Sequence, residues 1–121
     1  MISKFLFHKN KIFILILFFF SIIVNQHYGN RGVFPKDSFH FFDSGYRVLN
    51  GDLPFIDYWL VRGPLLDYMQ AIFFYIFGVN WQSYVLHASS INALITISTF
   101  FVLKNFKLKT IYCFFYSLLF S

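Results

Sequence analysis

The sequence contains no glutamate, a single cysteine and few charged residues of either sign. Only 12% of its 121 residues are charged, about half the share in a typical soluble domain, while 58% are hydrophobic and 25% aromatic. Because Cys113 stands alone, an internal disulfide and a cysteine-based zinc site are excluded. A soluble core could hardly hide this much phenylalanine and isoleucine, so the composition favours a lipid bilayer as the solvent.

Several signatures of soluble function classes are also missing. The net charge of +5 would permit nucleic-acid binding. However, the basic residues lie in short flanks beside apolar runs, so no nucleic-acid partner is predicted. No nucleophile elbow, glycine-rich phosphate loop or Cys-x-x-Cys pair occurs, and His27, His40 and His87 lack metal-ligand spacing. No cofactor is indicated, and a divalent metal, although compatible with the aspartates, has no ligand pattern to support it.

The sequence has long apolar runs instead. Ile12 to Val24 is apolar except for Ser21, and extension through Tyr28 predicts a first transmembrane helix over about residues 12–28. A cleaved signal peptide is the rival interpretation. Because no small-x-small cleavage site follows Val24, we favour an uncleaved anchor.

Two more apolar runs follow the polar middle of the chain. Residues 83–103 predict a second transmembrane helix, with Trp81 and Tyr84 as interface anchors. A polar seam runs along this helix at helical spacing, and such seams usually face other helices of the same or another chain. Its members are Ser89, Asn92, Thr96 and Thr99. After a turn at 104–110, residues 111–121 are too few to cross a bilayer and predict a truncated third helix.

The polar loop, residues 29–82, holds every aspartate of the chain. These are Asp37, Asp43, Asp52, Asp57 and Asp67. A helix near 37–50 is predicted, capped by Asp37 or Ser38, braced by an Asp43–Arg47 pair and stopped at Gly51. A second helix near 64–77 has a length that fits the membrane interface, with a short span as the alternative. In the interfacial interpretation Asp67 faces outward into water.

Charge placement predicts the orientation of the chain. Six of the ten basic residues lie in two flanks without acids: Lys4, Lys9, Lys11, Lys104, Lys107 and Lys109. The positive-inside rule puts the N-terminus and the 104–110 turn in the cytoplasm, and residues 29–82 outside. The sequence therefore predicts an all-α fragment of a polytopic protein of the bacterial inner (plasma) membrane. It has two complete transmembrane helices, the start of a third and an extracytoplasmic helical loop.

The loop also resembles a known pattern between residues 37 and 78. It reads Asp37-Ser-Phe-His-Phe-Phe-Asp-Ser-Gly-Tyr-Arg-Val-Leu-Asn-Gly51, Leu53-Pro-Phe-Ile-Asp57-Tyr-Trp, Gly63-Pro-Leu-Leu and Ile76-Phe77-Gly78. This is similar to the first loop of the GT-C superfamily of membrane glycosyltransferases. That group includes the protein O-mannosyltransferases and the lipid A aminoarabinose transferases. In outline the family loop has an acid, an aromatic helix, a Gly-x-x-Pro-aromatic-x-Asp-aromatic segment and a Pro-Leu that opens a helix ending in Phe-Gly.

The resemblance implies a function and a site. Members transfer a sugar from a polyprenyl-phosphate donor to an extracytoplasmic acceptor. Asp37 matches the loop acid of their active site, as general base or acceptor-binding group, and Asp57 matches a supporting aspartate. Arg62 is a basic residue of the loop that could bind the donor phosphate or support the site. Many members have a second acid where Ser38 stands, which argues against an acidic pair that binds metal.

A different class of function stays open at this point. The chain could be a non-catalytic small membrane protein or subunit, or the remnant of a truncated gene, in which the loop acids serve only capping and topology. The family builds its catalytic pocket from many more helices than this sequence contains. We therefore expect this fragment to be inactive alone, and the bilayer, a sugar donor and further transmembrane helices to be its partners.

Overall fold

A computed structural model describes residues 2–31 and 35–121, with side chains from 10 to 31 and from 38 to 121. Within those ranges the chain is all-helical and contains no strand. Its helices are α1 (Ile2–Gly29), α2 (Pro35–Leu49), α3 (Leu65–Phe77), α4 (Trp81–Asn105) and α5 (Thr110–Phe120). They form two compact units, one of residues up to His27 with Ser89–Ser121, the other of Tyr28–Ala88.

Two helices are long and apolar enough to cross a membrane. They are Asn10–Gly29 within α1 and the whole of α4, Trp81–Asn105. The predicted helices at 12–28 and 83–103 are thus confirmed as helices of spanning length and composition. Both are longer than predicted, because the polar residues that flank each apolar run continue the helix instead of ending it.

The first unit has an apolar cluster that joins α1, α4 and α5. Leu17, Phe100, Cys113 and Phe114 are its buried members. Cys113 is free and fully buried, as expected for a small apolar side chain. The short helix α5 therefore packs against α1 and α4 within this unit.

Part of the polar seam of α4 contacts α1 and the end of α5, which belong to this chain, whereas the partners predicted for it were helices that this sequence does not contain. The side-chain amide of Asn92 donates to Ser21 Oγ on α1 at 3.1 Å and to the Ser121 carbonyl at 2.9 Å. Ser89 and Thr96 are fully buried. Thr99 bonds back to the Ile95 carbonyl of its own helix. The seam thus has partners on α1 and at the end of α5, besides any further helices that the sequence interpretation invoked.

In the second unit, α2 begins earlier than predicted. Its first residue is Pro35, whose fixed φ suits the first turn. Asp37 and Ser38 therefore lie inside the helix, and the prediction that one of them is its N-cap is wrong. The predicted stop is confirmed, because Gly51 has φ 97° and the amides of Gly51 and Asp52 bond to the carbonyls of Val48 and Arg47.

A connector, residues 50–64, leads to α3. Pro64 is the N-cap of α3, so the helix begins at Leu65, one residue later than the predicted range 64–77. Gly78 ends the helix with φ 82°, and its amide bonds to the Phe74 carbonyl. The predicted helix at 64–77 is therefore confirmed almost to its ends.

Candidate functional site

The centre of the second unit is an ion pair between the connector and α3. Arg62 Nη2 lies 3.0 Å from Asp67 Oδ1, and the Asp67 side chain is 0% exposed. The prediction that Asp67 faces outward into water is therefore wrong. It sits in the first turn of a helix with no other charged residue, and its inward position gives the carboxylate a protein partner.

Three further side chains complete the cluster. Arg62 Nη2 also donates to Ser44 Oγ on α2 at 3.1 Å, and its guanidinium carbon lies 3.6 Å from the centroid of the Phe41 ring. The Tyr58 hydroxyl reaches Asp67 Oδ2 at 3.4 Å. We call these five residues, Phe41, Ser44, Tyr58, Arg62 and Asp67, the Arg62 cluster. It links α2, the connector and α3 through one guanidinium.

Burial and charge in the cluster change the pKa of Tyr58. Burial disfavours its phenolate, and the nearby Asp67 carboxylate disfavours it further by its charge and by accepting a hydrogen bond from the hydroxyl. Together these effects raise the pKa of Tyr58 to about 12. Within the described side chains, Arg62 Nε is buried and has no hydrogen-bond partner. Both side-chain hydrogen bonds of the guanidinium, to Asp67 and to Ser44, therefore use Nη2.

A second polar contact lies between α3 and α4. His87 Nδ1 and Gln70 Oε1 are 2.7 Å apart, and both residues are buried. The ring of Phe73 lies 5.2 Å from the His87 ring. Among the described side chains, Gln70 Nε2 and His87 Nε2 are buried without a hydrogen-bond partner. The Gln70 side chain also packs directly against Gly45 of α2, since a Cβ on Gly45 would overlap it.

The remaining acids with described side chains are engaged in local structure. The predicted Asp43–Arg47 pair is confirmed at 2.8 Å, and it raises the pKa of Arg47 through a hydrogen bond and through charge. Asp52 also approaches Arg47, at 3.7 Å. Asp57 Oδ2 accepts the Leu53 amide at 2.7 Å and closes the connector turn. These contacts fit capping and bracing roles rather than open substrate-binding positions.

The predicted site residues therefore have different places. Arg62 lies at the centre of the cluster, while Asp57 is exposed and bonds within its own turn. Asp37 lies in the first turn of α2, and its side chain is outside the described residues, as are those of Lys4 and Lys9. The sequence reasoning missed Asp67, Ser44, Gln70 and His87. The available signal was that Asp67 and Gln70 share one side of an apolar helix.

Metal binding finds no support in the part of the chain whose side chains are described, since no three of its His, Cys, Asp or Glu residues are grouped to hold an ion. No family model matches the chain, and neither the curated proteins nor the solved structures gave a match.

Proposed function

We propose that this chain is the N-terminal part of a GT-C-type membrane glycosyltransferase, whose loop 29–82 contributes to an extracytoplasmic active site. The substrates would be a polyprenyl-phosphate-linked sugar and an acceptor outside the cytoplasm. The proposal begins from the sequence resemblance. The two helices of spanning length and the placement of the lysines in the flanking segments support the membrane setting and the orientation.

One observation carries the proposal: the residues of the resemblance pattern occupy defined structural positions. Gly51 ends α2 with a left-handed φ, Asp57 closes the connector turn, Pro64 caps α3 and Gly78 ends it. The residues of the pattern therefore lie at the ends and turns of a folded helix–turn–helix unit, which supports the proposal. A rigid unit is what an active-site loop needs if it is to hold a catalytic group in place.

Asp37 is the proposed catalytic residue. A glycosyl transfer to a hydroxyl needs a base that removes the proton as the oxygen attacks the anomeric carbon. The other four aspartates have structural partners, and Asp37 is the acid that the sequence resemblance matches to the active-site position. In this proposal Arg62 and Asp57 support the site by holding the unit together. Because Arg62 is paired with Asp67, binding of a donor phosphate would need its leftover donors.

The engagement of those four acids also favours the second candidate, a non-catalytic membrane protein or subunit. Asp37→Asn separates the two, tested in protein made from the complete reading frame and reconstituted with polyprenyl-phosphate sugars. We expect loss of transfer by at least about 100-fold, whereas Asp43→Asn, which removes only an exposed ion pair, keeps it. Full activity of Asp37→Asn would exclude Asp37 as the base. Absence of transfer by the unmodified protein with every donor would favour the second candidate.

A further inference from the structure

The two faces of α3 are reversed relative to a helix on a water-exposed surface. Its buried side consists of Asp67, Gln70, Ala71 and Phe74. Its exposed side is apolar and aromatic, and we call it the α3 outer face. The members of this face are Leu65, Tyr68, Ile72, Tyr75, Ile76 and Phe77. Helices of soluble proteins place their apolar stripe inward and their polar residues outward, so α3 has the opposite arrangement.

Specific contacts fix this reversed orientation. Asp67 is held by Arg62 at 3.0 Å, and Gln70 is held against His87 at 2.7 Å. Gln70 also packs against Gly45, where α2 leaves no room for a Cβ. Rotation of α3 about its axis would break both polar contacts and leave the partly buried Arg62 without its counter-ion. The outer face therefore cannot exchange places with the polar side at low cost.

The outer face has no charged group to interact with water. Asp67 is the only ionisable Asp, Glu, Lys, Arg or His residue in the α3 sequence, and it points inward. Tyr75, near the middle of the exposed side, is 82% exposed. Three connector residues add to the same apolar character, because Ile56, Trp59 and Val61 are also exposed. An apolar surface of this extent marks a site of contact with a membrane or another protein.

The position of α3 in the chain indicates what the outer face contacts. Phe77 is followed four residues later by Trp81, the first residue of the candidate span α4, so their Cα atoms are at most about 14 Å apart. The Trp81 indole N–H donates to the carbonyl of Gly29, the last residue of α1, at 2.9 Å. The last residue of α1 is thus in contact with the first residue of α4, and α3 ends within about 14 Å of the same point.

We propose that the α3 outer face lies against the lipid bilayer, with Ile72 and Ile76 in contact with acyl chains and the connector's Trp59 at the headgroup level. The polar side then faces α2 and the connector, shielded from lipid. A helix of 13 residues is about 20 Å long and can lie along the interface without crossing it. This inference is independent of the glycosyltransferase proposal, because it needs only the membrane setting and the contacts of α3.

Spin labelling tests it in the whole chain. Single cysteines at Ile72, Tyr75 and Ile76 are introduced into a Cys113→Ala background, labelled with a nitroxide and reconstituted in phosphatidylcholine–phosphatidylglycerol vesicles. Collision rates are measured with oxygen, which partitions into acyl chains, and with a nickel chelate, which stays in water. The control is a label at Asp43, which is exposed on the surface of α2. Retained helicity by circular dichroism shows that each labelled variant is folded.

We expect oxygen collisions to exceed nickel collisions several-fold at Ile72 and Ile76, and the reverse at Asp43. High nickel collision rates at Ile72 and Ile76 would place the outer face in water and overturn the proposal. Low rates with both reagents at all three labelled positions would show that protein covers the face, either a second copy or another chain, and would overturn it equally.

Discussion

The Arg62 guanidinium and the Asp67 carboxylate meet at 3.0 Å, five residues apart in sequence, across the junction between the connector and α3. The Asp67 side chain is fully buried. With the same nitrogen, Nη2, Arg62 also donates to Ser44 on the neighbouring helix α2. The pair is therefore the point at which three segments of the second unit depend on one another.

Removal of Asp67 should be costly. Asp67→Ala leaves the Arg62 guanidinium partly buried and without its counter-ion, so we expect the free energy of unfolding to fall by about 3 kcal/mol. The measurement is chemical unfolding of the whole chain in detergent micelles, followed by circular dichroism. Asp43→Ala is the matched control and should cost about 0.5 kcal/mol, since its pair is exposed. Equal effects of the two substitutions would contradict a special role for Asp67.

Gly45 should tolerate no larger side chain. A Cβ there would overlap the Gln70 side chain, so Gly45→Ala forces α2 away from α3 and we expect a loss of about 1–3 kcal/mol. This loss opposes the gain in helix propensity of about 1 kcal/mol that alanine brings to a helix interior. Gly63→Ala is the control, because a Cβ at Gly63 meets open space. Thermal unfolding in micelles compares the two, and a stabilised Gly45→Ala variant would refute the close contact.

The titration of the Tyr58 hydroxyl should be shifted to higher pH. With its pKa raised to about 12 by burial and by Asp67, Tyr58 stays protonated in the folded chain where an unfolded tyrosine ionises near pH 10. Its contribution to stability is therefore fully present below about pH 10 and is lost as the pH rises through about 12. Tyrosinate absorbance of the unmodified chain minus that of Tyr58→Phe gives the titration directly. A difference curve centred near pH 10 would contradict the contact with Asp67.

Gln70 and His87 should behave as a coupled pair. Gln70→Leu leaves the buried His87 ring without its hydrogen-bond partner, at a cost of about 1–3 kcal/mol. When His87→Leu is added, no unpaired polar group remains at that contact, and the double variant should be less destabilised than the sum of the two single variants. Unfolding free energies of all four proteins in micelles complete the cycle. Strict additivity would show that the 2.7 Å contact makes no net contribution.

Much of the local structure could be predicted from the sequence. The stops at Gly51 and Gly78, the start of α3 at Pro64 and the Asp43–Arg47 pair depend on residues near one another in the chain. Length and hydrophobicity likewise identify the two helices of spanning size. The start of α2 was mispredicted because Pro35, Asp37 and Ser38 all suit the first turn of a helix, and local preferences do not rank them.

Only the tertiary structure decided which side of α3 faces the protein. The sequence spacing put Asp67 and Gln70 on one side of an apolar helix, and the rule for water-exposed helices turned that side outward. The structure turns that side inward instead, because the Asp67 carboxylate pairs with a protein partner there. That partner, Arg62, lies on the connector and also bonds to Ser44 on α2, so the contact depends on how α2, the connector and α3 pack together.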